Sequence, residues 1–171
     1  NLARYFIRNS NFESARRKLL ASLDCFDKLN VRTKKSVYSE IDACRLLGEL
    51  YTDLSQYIKA QEAYTRGIDL FQSENEKNGL EGDLNTGILY ADMGDIEYFI
   101  SGDMDAALKN YEHSVLNKNS TPTVNYRIGV INYNKQNYEN ALTFFIKALE
   151  KKDADQNLLR SEEHTSELQS R

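Results

Sequence analysis

The stretch Gln136–Lys152, QNYENALTFFIKALEKK, places Tyr138, Ala141, Phe145, Ala148 and Leu149 at helical spacing on one face, with Glu139, Asn140 and Lys147 off it. Alanines share that face with the largest aromatics. Nearly the same arrangement, SQYIKAQEAYTRGI, begins about eighty residues earlier at Ser55. No segment shows sustained strand-like alternation, and the polar and apolar positions predict helix nearly throughout. Helices are expected to end near Arg8 and to run near 12–29, 32–54, 57–77, 83–100, 104–117, 122–135 and 138–152, with a further one beginning near Asp155. The single proline, Pro122, follows Ser120 and Thr121, the order of an N-cap and a first helical position, where a missing N–H is harmless.

Two stretches align closely, CRLLGELYTDLSQYIKAQEAYTRGI and NYRIGVINYNKQNYENALTFFIKAL. Leu47-Gly48 corresponds to Ile128-Gly129, Tyr57 to Tyr138, Ala60 to Ala141, Tyr64 to Phe145 and Gly67 to Ala148. Glycine inside a helix costs about 1 kcal/mol relative to alanine, so its recurrence at one place points to packing. A small residue in each of two antiparallel helices lets the backbones approach, and aromatics fill the space between layers. A third copy holds Met93-Gly94, Gly102-Asp103, Ala107, Tyr111 and Ser114, with one extra residue between glycine and alanine. Phe12, Ala15 and Leu19 suit the second helix of a first unit.

This recurrence resembles the tetratricopeptide repeat, a helix-turn-helix unit that stacks into a solenoid. The resemblance implies an all-α fold, a right-handed superhelix (α-solenoid) of antiparallel pairs. Residues 1–159 would form the array: a partial first unit at 1–30, units at about 32–78, 83–118 and 122–152, and the start of another helix at 155–159. The alanines Ala15, Ala60, Ala107 and Ala141 are 45, 47 and 34 residues apart, and only the last interval equals the usual period, so some helices are expected to be lengthened. The chain opens in mid-pattern without Met, as expected of part of a longer protein. Its end, RSEEHTSELQSR (160–171), loses apolar periodicity and resembles read-through of a sequencing adapter. That tail, His164 included, is expected to make no functional contact.

Composition removes several alternatives. Forty per cent hydrophobic and 28% charged residues describe a foldable chain, and no apolar run is long enough to cross a membrane. A net charge of −4 and pI near 5.3 argue against nucleic acid as a partner. Cys25 and Cys44 lack metal-ligand spacing and are expected to be buried free thiols. No metal or cofactor set, nucleophile elbow or phosphate loop is found, so no catalytic residue and no cofactor is expected. Glu74 and Glu76 fit a solvated helix end and His113 a helix face. Asn119-Ser120-Thr121 fits a glycosylation sequon in a loop.

The resemblance implies a groove lined by the first helix of each pair, holding a protein or peptide partner. Candidate groove residues are Asp42, Arg45, Glu49, Thr52 and Asp53 in the second unit, and Ile88, Ala91, Asp95, Tyr98 and Phe99 in the third. In the fourth they are Thr123, Tyr126, Arg127, Val130, Tyr133 and Asn134. Exposed arginines and tyrosines are natural anchors, although Tyr98 and Phe99 equally suit packing against a neighbouring unit. Packing roles fall to Gly48, Tyr57, Ala60, Tyr64, Gly94, Ala107, Tyr111, Gly129, Tyr138, Ala141, Phe145 and Ala148. Family members that clamp a C-terminal carboxylate use basic residues where this chain carries Arg45, Glu49, Asp92 and Thr123, with Arg127 alone suitable, so that mode is disfavoured. The expected function is a non-catalytic scaffold for protein–protein assembly. The alternative is a regulatory or sensor region of a larger signalling protein or peptide-responsive regulator. Exposed apolar surface at the ends of the array favours self-association.

Overall fold

The computed structural model describes residues 11–151, and every regular element among them is helical. The helix expected to end near Arg8, the one expected near Asp155 and the 160–171 tail lie outside the described residues. The elements are α1 (Phe12–Asp27), α2 (Lys34–Asp53), α3 (Tyr57–Asn78), α4 (Leu84–Ile96), a π-helical turn (Glu97–Ser101), α5 (Met104–Leu116), α6 (Pro122–Asn134) and α7 (138–151).

Polar side chains set most of the starts. Asn11, Thr33, Asp83, Asp103 and Thr121 each accept a hydrogen bond from an otherwise orphaned N–H in the first turn of the helix that follows. Thr33 and Ser36 form a reciprocal capping box, which starts α2 at Lys34 and not at the expected residue 32. Pro122 stands in the first turn of α6, behind the Thr121 cap. The turns inside the pairs share one geometry. Ser55, Gly102 and Gln136 have φ of 57°, 70° and 63°, each two residues before the second helix of its pair.

The chain divides into two compact units, Asn1–Asn119 and Ser120–Arg171. In the first, α2 packs against α3 and α4 against α5, with α1 on α2, α3 on α4, and α2 also touching α4. Ala15, Leu19, Ile41, Cys44, Leu50, Ala60, Tyr64 and Leu89 belong to one continuous core. The lengthening sits in α2 and α3, with 20 and 22 residues, against 13 each in α4 and α5. In the second unit α6 meets α7 through Tyr126 and Phe145, and Val124, Ile128, Ile131, Ala141 and Ala148 are buried.

The extra residue of the third pair is absorbed as a π turn. The left-handed residue follows Gly48 and Gly129 by seven positions but Gly94 by eight, and the π turn lies inside that longer interval. Correspondingly, the turn N–H of Gln56 reaches back to Tyr51 and that of Asn137 to Asn132, whereas Asp103 N–H reaches the Glu97 carbonyl, one residue further. A π turn takes in one residue without breaking the helix, leaving the packing on either side in register. The helix expected to continue as α-helix to residue 100 therefore changes character after Ile96.

Candidate functional site

Each pair rests on a glycine facing an aromatic. A Cβ at Gly48 would stand 2.2 Å from Tyr64 Cε1, one at Gly94 2.8 Å from Tyr111 Cδ1, and one at Gly129 2.6 Å from Phe145 Cδ1. The glycine gives its place to the ring, and Ala60, Ala107 and Ala141 are buried alongside. Tyr64 shares a 3.3 Å hydroxyl contact with Thr52, and Tyr111 donates to Asp95 Oδ1 at 2.8 Å. Burial pushes the Tyr64 and Tyr111 phenols upward, and at Tyr64 the Asp92 charge adds to it. Tyr57 is half-buried beside this set, whereas Tyr138 remains 58% exposed, edge-on to Tyr133 at 5.5 Å.

The expected groove residues separate into buried and exposed sets. Arg45 is 8% exposed and is no surface anchor. Its guanidinium bonds Asp42 at 3.2 Å and Glu49 at 3.1 Å, because α2 is covered by α1, α3 and α4. Ala91 is likewise buried. Asp53 is exposed and Glu49 partly so. Tyr98 stacks edge-on against Phe99 at 4.8 Å, with Phe99 61% exposed. In the second unit Tyr126 and Tyr133 are exposed on α6 and Arg127 is partly buried.

Two cavities coincide with these residues. In the first unit, Thr52, Tyr57, Tyr64, Asp92, Asp95 and Ile96 enclose about 270 Å³ together with Phe99 and Ile100 of the π turn. The π turn is tied to α3 by Gln61, whose amide donates to Glu97 Oε1 at 3.1 Å. Within the second unit, Pro122, Thr123, Tyr126, Phe145, Ala148 and Leu149 line an apolar hollow of about 570 Å³.

Other expectations shift. Cys44 is buried, its thiol pushed up to about 12 by that burial, but Cys25 is exposed on α1 and is not a core residue. Asn119 is 4% exposed and donates to Ser114 Oγ at 2.9 Å, so the folded chain hides the sequon nitrogen. His113 stacks on Tyr90 at 5.0 Å. Gly87 went unnoticed in the sequence. A Cβ there would stand 2.5 Å from the Asn117 carbonyl oxygen, making it the point where α4 meets the backbone at the end of α5. Among the described residues no group of three potential metal ligands gathers, and no helix is long and apolar enough to cross a membrane.

Paired antiparallel helices with a repeated glycine–aromatic contact define an all-α helical-repeat protein. The sequence profile of the tetratricopeptide repeat matches residues 41–73 and 122–152, so two of the helical pairs are similar to that repeat. The third pair, with its inserted residue, lies outside the matched segments. Solved structures share the fold. BtubC (BKLC) from P. vanneervenii superposes with a TM-score of 0.68 at 17% identity over 90% of this chain, which spans 60% of the BtubC chain. Two crystal structures of MamA give TM-scores of 0.55 and 0.53 at 20% and 18% identity. They cover 92% and 91% of this chain, and 98% and 90% of their own. No curated protein matches the sequence. Proteins of this family are typically non-catalytic scaffolds that bind protein partners.

Proposed function

We propose that the chain is a non-catalytic scaffold holding a partner's peptide or helix against the first helices of its pairs, α2 and α4 in the first unit and α6 in the second, each unit taken by itself. One observation carries this reading. Thr52 from α2, Asp95 from α4 and Phe99 from the π turn, all groove candidates, line a single cavity within the first unit. Pockets that combine aromatic area with a few convergent polar groups are typical ligand seats. In the second unit Tyr126 and Tyr133 supply exposed rings with polar handles at helical spacing on α6.

The test is affinity capture by the full chain and by a Tyr126→Ala/Tyr133→Ala double variant. Loss of the captured protein with unchanged helicity supports the reading. Retained capture removes α6 from the binding face.

A further inference from the structure

Asn78 and Gly79 form the only Asn-Gly step in the sequence, and they stand where α3 ends. Gly79 closes the helix in the left-handed region, at φ 59°, with its N–H on the Asn75 carbonyl at 2.9 Å. Asn78 is exposed, and its side-chain amide donates to Glu74 Oε2 at 2.7 Å. Nothing outside the helix end itself comes within 4 Å of the place a Gly79 Cβ would take, so solvent reaches this step. Just beyond it the chain is pinned. Leu80 is 2% exposed and its carbonyl accepts from Asn75 Nδ2 at 2.7 Å, while the Glu81 carbonyl accepts from the Tyr38 hydroxyl of α2 at 2.5 Å.

The side-chain carbonyl of an asparagine is open to attack by the backbone nitrogen of the next residue, and glycine, having no Cβ, hinders that approach least. We propose that Asn78 is a site of spontaneous deamidation whose products loosen the turn between α3 and α4. Solvent base takes the Gly79 N–H proton, the nitrogen bonds to Asn78 Cγ, and the Cγ–Nδ2 bond breaks with release of ammonia. Water then opens the cyclic imide at either carbonyl, leaving aspartate or its β-linked isomer. The hydrogen bonds of Gly79 N–H and the Asn78 amide open first, and both belong to the solvated last turn of a helix, where local opening costs least. Other asparagines compete poorly. Asn119, followed by the small Ser120, is 4% exposed, and Asn117, Asn125 and Asn132 are buried before larger residues. The product matters because a donor becomes a charge. The Asn78–Glu74 hydrogen bond turns into carboxylate against carboxylate, at the helix end whose dipole disfavours anions.

The test holds the full chain in warm, mildly alkaline buffer and follows its peptides by mass spectrometry, beside a sample unfolded in guanidinium. Exchange of amide for hydroxyl is expected at Asn78 ahead of every other asparagine in residues 11–151, with the β-linked isomer present. The folded chain should react more slowly than the unfolded one, since its last turn must open. An Asn78 that stays intact in the folded chain, or that converts more slowly than another asparagine there, overturns the site, because the cap then protects it. The consequence is read separately. Asn78→Asp reproduces one product and should speed hydrogen exchange of the Gly79 and Leu80 amides and lower the melting temperature. Unchanged exchange in that variant overturns the loosening, whatever the rate of deamidation.

Discussion

The edge of the Tyr64 ring lies where a side chain at Gly48 would be, with ring carbons 2.2 to 2.7 Å from the position of a Cβ. Tyr64 is itself buried and joined to Thr52 across the same helix pair, so it has little room to withdraw. Gly94 with Tyr111 and Gly129 with Phe145 repeat the relationship. The ring needs the missing Cβ, and the helix tolerates the glycine because the ring fills the space.

Gly48→Ala is therefore expected to lower stability despite alanine's better helix propensity. The propensity gain is about 1 kcal/mol and overpacking costs about 1–3 kcal/mol, so the net change is a loss. Adding Tyr64→Leu should recover part of it, giving a double-mutant cycle that departs from additivity. Urea melts followed by circular dichroism measure all three variants, and additive losses would show that ring and glycine do not compete for space.

Ala141, 1% exposed on α7, should respond in the same direction. Ala141→Leu is expected to destabilise the second unit by about 1–3 kcal/mol, while Glu139→Ala, two residues away and exposed, should stay within about 0.5 kcal/mol. An unchanged melting temperature for Ala141→Leu would mean that α7 can rotate away from α6.

Glu40 ties three segments together. Its buried carboxylate accepts from Arg66 on α3 at 2.9 Å and pairs with Arg32 at 3.3 Å, while Arg66 also reaches Asp27 on α1 at 2.7 Å. Glu40→Ala leaves both arginines short of a partner, but each keeps partial contact with water. The expected loss is about 1–3 kcal/mol, below that for a fully buried pair. Chemical denaturation reads it, and a change under about 0.5 kcal/mol would show that water replaces the carboxylate without penalty.

The two thiols should differ sharply. Native protein is expected to give one reactive thiol per chain with a disulfide reagent, from exposed Cys25, and two after denaturation. Cys44 is held protonated by burial, from an ordinary 9.0 to about 12. The folded value is raised, so its contribution to stability is complete below about pH 9 and declines as pH rises toward 12. Replacing Cys44 with alanine should flatten that part of the alkaline stability profile, and an unaltered profile would assign the decline to the buried tyrosines.

Deleting Ser101 tests the origin of the π turn. It restores the Gly94–Ala107 interval to the twelve residues seen in the other two pairs. Helicity and melting temperature should be nearly kept, while exposure of Phe99 falls, because a π turn accommodates one added residue inside an otherwise regular helix. Collapse of the fold would show that the five-residue turn is itself required for α4 and α5 to pair.

Periodicity and caps made the helices legible. Tyr138, Ala141, Phe145 and Ala148 announce their face because burial repeats with the helical turn, and Thr121-Pro122 announces a start because its hydrogen bonding is local. The recurrence of glycine, alanine and aromatic positions was also readable as a spacing, but that each glycine faces a ring came only from the packed pair. Covering was not readable. Arg45 looks like an exposed groove residue on its own helix and is buried only because α2 has neighbours on three sides. Cys25 resembles a core residue, yet its side of α1 faces outward.

The sequence by itself determined the helical pairs, their turns and the place where one residue is added, because these depend on spacing and on bonds between near neighbours. Only the tertiary structure decided how that residue is accommodated. A loop and a bulged helix satisfy the same count, and the choice follows from long-range contacts. Tyr111 must reach Gly94 and Asp95, and Glu97 must receive the amide of Gln61 from α3, so the helix widens between them instead of breaking. Phe99 and Ile100 are thereby carried to the surface, and the cavity beside Asp92 and Asp95 acquires its apolar wall.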